Sequence, residues 1–445
     1  MYLPPDSVIE DRLIRTFPED ELRELARATD LVQREGGKLD AAALFFALAL
    51  GFAVGEDRSL EAFRQRYLQN VGGSLAYASF HDWFVPALCE FLREILDRAI
   101  EDLSTSSDQL RGRLDGFRDV LLVDMTVVTL YQSLTDEFPG YGDDHAGAKL
   151  HVVESVSTGL PTQFSITDAR TNESTELSTG GWIAGALLIY DQGYFDYRTM
   201  DLIESNGGWF VTRLKSNANP LIVEELRRWR GDAISLTDRK LHDVLDDLHR
   251  DVIDVRVEVS FKRRRYQGSR SRATRTFRVV GIRNEETEKY HLYITNLPVS
   301  DYRAPDIAKL YQARWEVELL FKELKSTFNL DEVSSSKPEV VEALILIAVL
   351  SLVVSRALRQ LFVEIVAYNQ DSDDDREPSS LLPRRRWSKV FSRYSAEILR
   401  RVAKRLGYES PHLVGLIYRD ALDPNQHRPS LLEDVQYGEF VRELA

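Results

Sequence analysis

The sequence has very little cysteine and lacks a segment typical of export. Cys89 is the only cysteine among 445 residues, which excludes an internal disulfide and a cysteine-based zinc module. The first residues, Met-Tyr-Leu-Pro-Pro-Asp, have neither the basic nor the apolar region of a secretory signal. We therefore expect a reducing compartment, the cytoplasm.

Long apolar runs are also scarce. The most apolar segment, 343–354, is bounded by Glu342 and Arg356 and is shorter than the roughly 18 residues of a membrane span. We predict a buried helix there and no membrane association. With 43% hydrophobic residues, the chain is long enough for two or three domains.

Positive charge is in deficit. The 57 lysines and arginines face 71 aspartates and glutamates, a net charge of −14 that argues against nonspecific coating of nucleic acid. Basic residues still gather at 262–278 and 384–405, whereas Asp371–Asp375 forms an acidic run. Arginine greatly outnumbers lysine, and this acidic, lysine-poor composition leads to the hypothesis of a salt-loving host.

The order of the sequence patterns predicts a mixed α/β protein in five parts. Strand-like runs at 120–125, 149–157, 161–167, 186–190 and 209–214 are followed by a charged helical piece at 220–248 and three more strands, 252–261, 274–282 and 290–296. The parts are an N-terminal helical domain, 1–110; the first part of a core, 111–214; a β-rich insertion, 215–300; the second part of the core, 301–365; and an acidic linker with a basic helical tail, 366–445. The N-terminal domain either recognises DNA ends or serves only for packing.

One segment concentrates residues suited to phosphate chemistry. Tyr311, Arg314, Glu318, Lys322 and Lys325 are spaced by three or four, which predicts one face of one helix. A glutamate between cations can hold a metal while the arginine and lysines bind phosphate oxygens. The alternative is an ordinary amphipathic helix with salt bridges between successive turns.

Two aspartates follow apolar runs that predict buried strands. Asp124 comes after Val120–Val123, and Asp191 comes after Ala186–Tyr190. Because an unpaired buried carboxylate is costly, we expect Asp124 at a strand edge, facing solvent, a metal or a cation. Taken singly, such acids are more often turn or cap residues. Together with Glu318 they suit two divalent ions, and Mg²⁺ prefers such oxygen ligands.

These residues carry a family resemblance. Tyr311, Arg314, Glu318 and Lys325 match the Tyr-x2-Arg-x3-Glu-x6-Lys signature, so the chain resembles the DDE transposases of bacterial and archaeal insertion sequences, specifically the insertion-sequence-four family. Val-Asp-Met-Thr around Asp124 resembles the segment of the first acid, although methionine replaces a residue that is often small. Asp-Gln-Gly-Tyr at 191–194 resembles the second, and the pattern spans about 115–365.

The resemblance implies a ribonuclease-H-like catalytic core with a β-rich insertion before the glutamate helix. It also implies Mg²⁺-dependent cleavage, with Mn²⁺ as a substitute, at the terminal inverted repeats of double-stranded DNA. The freed 3′-OH would then attack target DNA, often after a hairpin stage, and a homodimer would join the two element ends. Asp124, Asp191 and Glu318 would be both the catalytic residues and the ligands of two metal ions.

The resemblance further implies DNA contacts. Arg314, Lys322 and Lys325 would bind phosphates, and Tyr311 would do so through its hydroxyl. An aromatic residue of the insertion would stack on a base pushed out of the duplex. Our candidate is Tyr290, with Trp315 lining the same region, although an aromatic residue in a strand usually serves packing. The basic cluster 262–278 is either a DNA-contacting hairpin or a solvated loop.

Two other functions remain open at this point. A glycosidase would use two acids without metal, but it would not need the cationic residues of 314–325. A noncatalytic DNA-binding protein could keep the same fold, but loss of an acid would then be expected, and all three acids are present. His151 and Cys89 are interpreted as structural residues.

Overall fold

A computed structural model describes residues 3–34, 37–54, 58–104, 110, 112–142, 145–227, 235–263, 271–328, 330, 333, 335–370 and 376–408. Its centre is one nine-stranded sheet in the order β3-β2-β1-β4-β5-β9-β8-β7-β6. The mixed α/β class predicted from the sequence is confirmed. The strands are β1 Asp119–Leu130, β2 Ala146–Ser155, β3 Pro161–Asp168, β4 Ala186–Tyr190, β5 Trp209–Arg213, β6 Leu221–Glu225, β7 Val252–Lys262, β8 Arg272–Arg283 and β9 Tyr290–Thr295.

The central strands β1, β4 and β5 are parallel, and the strands on either side of them are antiparallel to their neighbours. The start of β1 is buried on both faces of the sheet. Val120 and Leu122 pack into the core on one face, whereas Leu121 and Val123 pack into the core on the other. This explains why the run is continuously apolar, as is typical of a central parallel strand.

The segment 215–300 extends the same sheet, because β9 pairs with β5 through Val211 and Thr295. The three strands predicted here are present nearly at their predicted bounds. The helix predicted at 220–248 is wrong: the segment starts with strand β6, and the described helix is only His242–Leu245. The apolar, β-branched residues Leu221-Ile-Val pair with β7, and this pairing outweighs the charged helical pattern.

Most helices share one large core on the side of Val120, whereas the helices Tyr197–Ser205 and His242–Leu245 pack in the core on the side of Leu121. Helix α3 is buried along its whole length, and it packs against α11 and α12. The N-terminal helices therefore share a core with the C-terminal ones. The helices are α1 Ser7–Thr16, α2 Glu19–Ala28, α3 Ala41–Ala53, α4 Leu60–Val71, α5 Tyr77–His81, α6 Pro86–Ser104, α7 Tyr197–Ser205, α8 His242–Leu245, α9 Ala304–Gln312, α10 Trp315–Ser326, α11 Pro338–Asn369 and α12 Arg384–Arg405.

The apolar segment 343–354 lies inside α11, and its predicted burial is confirmed. Helix α11 has 32 residues and is long and apolar enough to cross a membrane by those two criteria. The most apolar part of α11 is 94% buried inside the protein, as it is in the core helix of many soluble proteins.

The C-terminal part is described up to residue 408. The basic run 384–405 is helix α12, whereas the acidic run Asp371–Asp375 and the chain beyond 408 lie outside the described residues. Residues 366–369, placed in the linker by the sequence, belong to α11. The domain boundaries derived from the sequence stay predictions.

Candidate active site

The register of two parallel strands positions the two aspartates. Val123 of β1 is paired with Tyr190 of β4, so Asp124 and Asp191 occupy the next positions on adjacent strands. Asp124 does not lie at the end of its strand, because β1 continues to Leu130. Its side chain faces a cation, Arg314, which is one of the expected environments.

The segment predicted as a single helix consists of two helices, α9 and α10. They meet at Ala313 and Arg314, which keep right-handed helical backbone angles. The Ala313 N–H donates to the Leu310 carbonyl at 3.0 Å and the Arg314 N–H donates to the Tyr311 carbonyl at 3.1 Å, so the backbone tightens into a turn of the 3₁₀ type. The spacing rule for one α-helix therefore does not hold across this joint.

Glu318, in the first turn of α10, faces the same cavity as the two aspartates. The cavity has a volume of about 640 Å³. The three acids, which are far apart in sequence, thus converge, and three of the predicted cations lie beside them. The lining residues are Asp124, Met125, Thr126, Asp191, Arg314, Glu318, Phe321, Lys322, Lys325 and Ser326.

Arg314 links two of the acids. Its Nη1 donates to Asp124 Oδ2 at 2.8 Å, and its Nη2 donates to Glu318 Oε1 at 2.6 Å. One guanidinium thus faces three carboxylates, including Asp191. The lining as a whole is balanced in charge, because Lys322 and Lys325 join Arg314 opposite the three carboxylates.

Burial raises the pKa of Asp124 from 3.8 to about 6, and the charges of Asp191 and Glu318 act in the same direction. The backbone N–H of Met125 and the guanidinium of Arg314 oppose the rise. Asp124 therefore binds a proton near pH 6, where an ordinary aspartate is fully ionised.

The polar groups of Tyr311 and Lys325 are already engaged in hydrogen bonds within the protein. The Tyr311 hydroxyl donates to Asp191 Oδ1 at 3.1 Å, and burial raises the pKa of this hydroxyl well above its usual value, so it remains a neutral donor. Lys325 Nζ donates to the Val127 carbonyl at 3.1 Å and ties α10 to β1. Lys322 is exposed, with Nζ 5.2 Å from the centre of the Trp315 ring.

Gly193, two residues after Asp191, lies at a position where a side chain would not fit. A Cβ at Gly193 would overlap the carboxylate of Glu173, and Glu173 is held by Lys149 through a 3.2 Å ion pair. His151 is buried, and its ring nitrogens hydrogen-bond Tyr194 and Thr167 at 2.8 and 2.9 Å. Burial also lowers the pKa of His151, in keeping with its structural interpretation.

The structure does not bring Tyr290 to the acids. Its hydroxyl donates to the Arg250 carbonyl at 2.5 Å, and its side chain lines a separate cavity of the insertion together with Lys215. Trp315 is 53% exposed and lines a third cavity beside Tyr311 and Arg314. In the basic cluster 262–278, residues 264–270 lie outside the described part of the chain.

Three residues that the sequence analysis missed also line the cavity of Trp315: Arg213, His291 and Tyr293. Arg213 Nη2 lies 2.8 Å from His291 Nδ1. A signal for Arg213 was present in the sequence. It ends the apolar strand β5, and because Tyr190 pairs with Thr212, Arg213 occupies the position beside Asp191. Polar residues at the carboxyl ends of neighbouring parallel strands meet at one edge of the sheet.

The oxygen ligands of the cavity are of the kind that hard divalent cations prefer. Among the described residues, however, no three or more His, Cys, Asp or Glu side chains are close enough together to hold a metal ion. The guanidinium of Arg314 stands between Asp124 and Glu318, which accounts for their separation. The carboxylate oxygens suit a divalent metal by their chemistry, and binding one between these two acids requires Arg314 to move.

Relatives of known annotation cover part of the chain. The chain is 22% identical over 279 residues to the transposase for insertion sequence element IS231F of Bacillus thuringiensis subsp. israelensis, spanning 56% of this chain and 57% of the relative. It is 23% identical over 291 residues to the transposase for IS231E of Bacillus thuringiensis subsp. finitimus, spanning 58% and 59%. The chain thus matches less than two thirds of the length of each relative.

Among solved structures, the chain is similar to a piggyBac transposase synaptic complex with hairpin DNA. The sequence identity is 12%, the TM-score is 0.45, and the superposition covers 95% of this chain and 86% of that one. The model of the transposase DDE domain family matches residues 115–354, which contain all three acids of the cavity. This match spans more than half of the sequence, and the chain therefore belongs to the transposase DDE domain family.

Proposed function

We propose that the protein is the DNA transposase of an insertion sequence of the insertion-sequence-four family. It cleaves double-stranded DNA at the terminal inverted repeats and joins the freed 3′-OH to target DNA. The observation that carries this proposal is the convergence of Asp124, Asp191 and Glu318 on one cavity, within the segment that matches the DDE family. Strands β1–β5, in the order 3-2-1-4-5, would be a ribonuclease-H-like core.

Asp124, Asp191 and Glu318 would hold Mg²⁺ or Mn²⁺, two ions in the full site. When bound, such ions supply activation of water and stabilisation of the departing 3′ oxygen. The raised pKa of Asp124 means that a proton competes for this ligand below about pH 6. Tyr311, by donating to Asp191, fixes the orientation of the second carboxylate.

The cations of the cavity would bind the DNA backbone. Arg314 can exchange its carboxylate partners for phosphate oxygens, which match its paired donors. Lys322 is exposed at the rim and needs no such exchange. Lys325 holds α10 against β1, so we assign it a positioning role in addition to any phosphate contact. Trp315, with its exposed ring, is a better candidate for stacking on an unpaired base than Tyr290 is.

The protein would act in the cytoplasm, on the nucleoid, as a homodimer that holds two element ends. A glycosidase is a poorer fit, because its two acids would not need the cations of this cavity. A noncatalytic DNA-binding protein on the same scaffold makes a different prediction, since its acids could be replaced without loss of function.

A strand-cleavage assay tests the proposal. Duplexes carrying the terminal repeats are incubated with Mg²⁺ or Mn²⁺ and with wild type, Asp124→Asn, Glu318→Gln or Glu316→Gln. Glu316 is the matched control, because it is exposed, lies on the same helix and does not line the cavity. We expect cleavage by wild type and Glu316→Gln and none by the other two. Equal cleavage by all four proteins would reject the proposed site, and an inactive wild type that binds DNA would favour the noncatalytic alternative.

A further inference from the structure

Helix α12 has one exposed face that is almost entirely cationic. At about 100° per residue, six of its seven exposed basic residues fall within about 100° of arc; Arg405 lies outside it. The opposite side of the helix, which includes Trp387 and Phe391, is buried against the protein. We call the exposed set the α12 basic face; its members are Arg385, Arg386, Lys389, Arg393, Arg400 and Lys404.

The other arginines of α12 show what a cation does here when an acid is near. Arg384 pairs with Glu154 at 2.9 Å, Arg401 pairs with Glu10 at 2.5 Å, and Arg405 pairs with Asp11 at 3.3 Å. These three contacts fasten α12 to the rest of the protein. They involve three of the nine cationic residues of α12 and none of those on the α12 basic face.

Few acidic side chains lie close enough to the α12 basic face to neutralise its charge. Glu397 is the acid on this side of the helix, and it pairs with Arg400 at 2.7 Å. Arg386, Lys389 and Arg393 have no ion pair to the described residues. They lie one turn apart, a spacing at which like charges destabilise a helix. In a chain of net charge −14, such a concentration of cations is unusual.

A solvated charged helix face is the common explanation of such a pattern. It does not explain why Arg384, Arg401 and Arg405 have acidic partners while most cations of the α12 basic face have none, although acids are abundant in the chain. A polyanion would relieve the repulsion along the face. Tyr394 and Val390, both exposed at its edge, add apolar surface.

The buried side of α12, not the basic face, contacts the helix that carries Glu318. Ser388 of α12 hydrogen-bonds Glu323 of α10. Glu323 lies five residues after Glu318, a rise of about 7.5 Å along the helix. From Arg385 to Lys404 the face is about 29 Å long, which equals the span of about eight phosphates on one strand of duplex DNA.

We propose that the α12 basic face binds the phosphate backbone of duplex DNA. This inference rests on the proposed function, which it extends with a second DNA contact outside the cavity. Arginine and lysine contacts to phosphates position a protein without reading sequence. The face would therefore hold duplex DNA of any sequence, be it element or flanking DNA.

The salt dependence of DNA binding tests the proposal. Binding of the full chain to a 40-base-pair duplex (about four helical turns) is measured by fluorescence anisotropy at several KCl concentrations. We compare wild type, Lys389→Gln/Arg393→Gln and the control Arg15→Gln/Arg98→Gln, which removes the same charge from exposed sites on α1 and α6. Each lost phosphate contact lowers the slope of log K against log salt by about 0.9.

We expect the α12 variant to lose about two units of slope and to bind about tenfold more weakly or worse in 0.1 M salt, while the control resembles wild type. Equal slopes for the three proteins would overturn the proposal. So would an unchanged slope together with a loss of self-association in sedimentation, because the face would then bind a second copy. Cleavage by wild type with unchanged slopes leaves the proposed function intact, whereas altered slopes without any cleavage refute only that function.

Discussion

Helix α10 carries a carboxylate–arginine cluster on each of two sides, and the two clusters differ in their access to solvent. On one side, Glu318 and Asp124 share Arg314 at the cavity; we call this the open cluster. On the other, Glu323 pairs with Arg356 at 2.6 Å and accepts from Ser388, and both charged side chains are almost fully buried; this is the sealed cluster. Both clusters consist of carboxylates paired with one arginine. They differ in solvent access: the sealed pair stabilises the fold, whereas the open one can exchange partners.

The neighbouring pair of Glu154 and Arg384 resembles the sealed cluster. Glu154 is buried on β2, and burial raises its pKa from 4.5 to about 7 despite the nearby arginines. Asp124, in the open cluster, has its pKa raised to about 6. Both acids are therefore poorly stabilised as anions, but only Asp124 faces a cavity that a cation can enter.

The largest effect on stability should come from the sealed cluster. Replacing Arg356 with methionine leaves Glu323 buried without its cation, which should lower the free energy of unfolding by about 3–5 kcal/mol in urea titrations. The control is Arg12→Met, which breaks the exposed pair with Glu364 and should cost at most about 1 kcal/mol. Equal losses in the two variants would show that burial does not distinguish these pairs.

The pH dependence of stability should reveal Asp124. Because its pKa is about 6 in the folded protein and near 3.8 when unfolded, its contribution to stability is full below pH 4 and is lost as pH rises through 6. Relative to Asp124→Asn, wild type should lose about 2–3 kcal/mol between pH 4 and pH 6.5. Glu154→Gln should instead remove the change centred between pH 4.5 and 7. The measurement is urea unfolding at several pH values. Parallel curves of unfolding free energy against pH for wild type and Asp124→Asn would contradict the raised pKa of Asp124.

Removing the cation of the open cluster should make the stability of the protein depend more on divalent metal. Arg314→Gln leaves the three carboxylates without their guanidinium, so Mg²⁺ should stabilise this variant more than wild type, by about 1–2 kcal/mol at saturating ion. Thermal unfolding with and without Mg²⁺ measures the difference. Lys322→Gln, which removes a charge from the rim, should respond like wild type. The same gain in all three proteins would mean that Arg314 does not occupy the place of a cation.

Added salt should change the free energy of unfolding least, and it should do so by screening charges at the protein surface. Because the exposed residues are predominantly acidic, screening by 2 M KCl should raise the free energy of unfolding by about 1 kcal/mol. The loss caused by Arg356→Met should stay the same, since the sealed cluster is out of reach of ions. Full stability and activity of wild type in dilute buffer would count against the hypothesis of a salt-loving host.

Local patterns in the sequence were enough to predict eight of the nine described strands and the charged face of α10. The run Val120–Val123 predicts a central strand because both of its faces are apolar, and the spacing from Arg314 to Lys325 predicts a helix face because one helix contains it. The acids could be grouped from their strand and helix contexts, and the family resemblance implied the same grouping, but nothing local to Asp124 specifies its pairing with β4.

The failures have long-range causes. The turn at Ala313 and Arg314 depends on how α9 and α10 pack, and the strand at Leu221–Glu225 depends on the availability of β7 as a partner. The helical spacing sets Glu318 between cationic neighbours and directs Glu323 elsewhere, but it does not identify the partners of Glu323. The different environments of the two glutamates arise because Arg356 and Ser388 come from helices that follow later in the chain.

The hydrogen bonding of β9 to β5 has a consequence for the surface beside the candidate active site. Arg213, at the end of β5, occupies the position beside Asp191, and its Nη2 lies 2.8 Å from Nδ1 of His291 on β9. Strand β9 is thereby fixed to the same sheet that positions the two aspartates. These two side chains are preorganised by folding, so under the proposed function little of the binding free energy would be spent on assembling that surface.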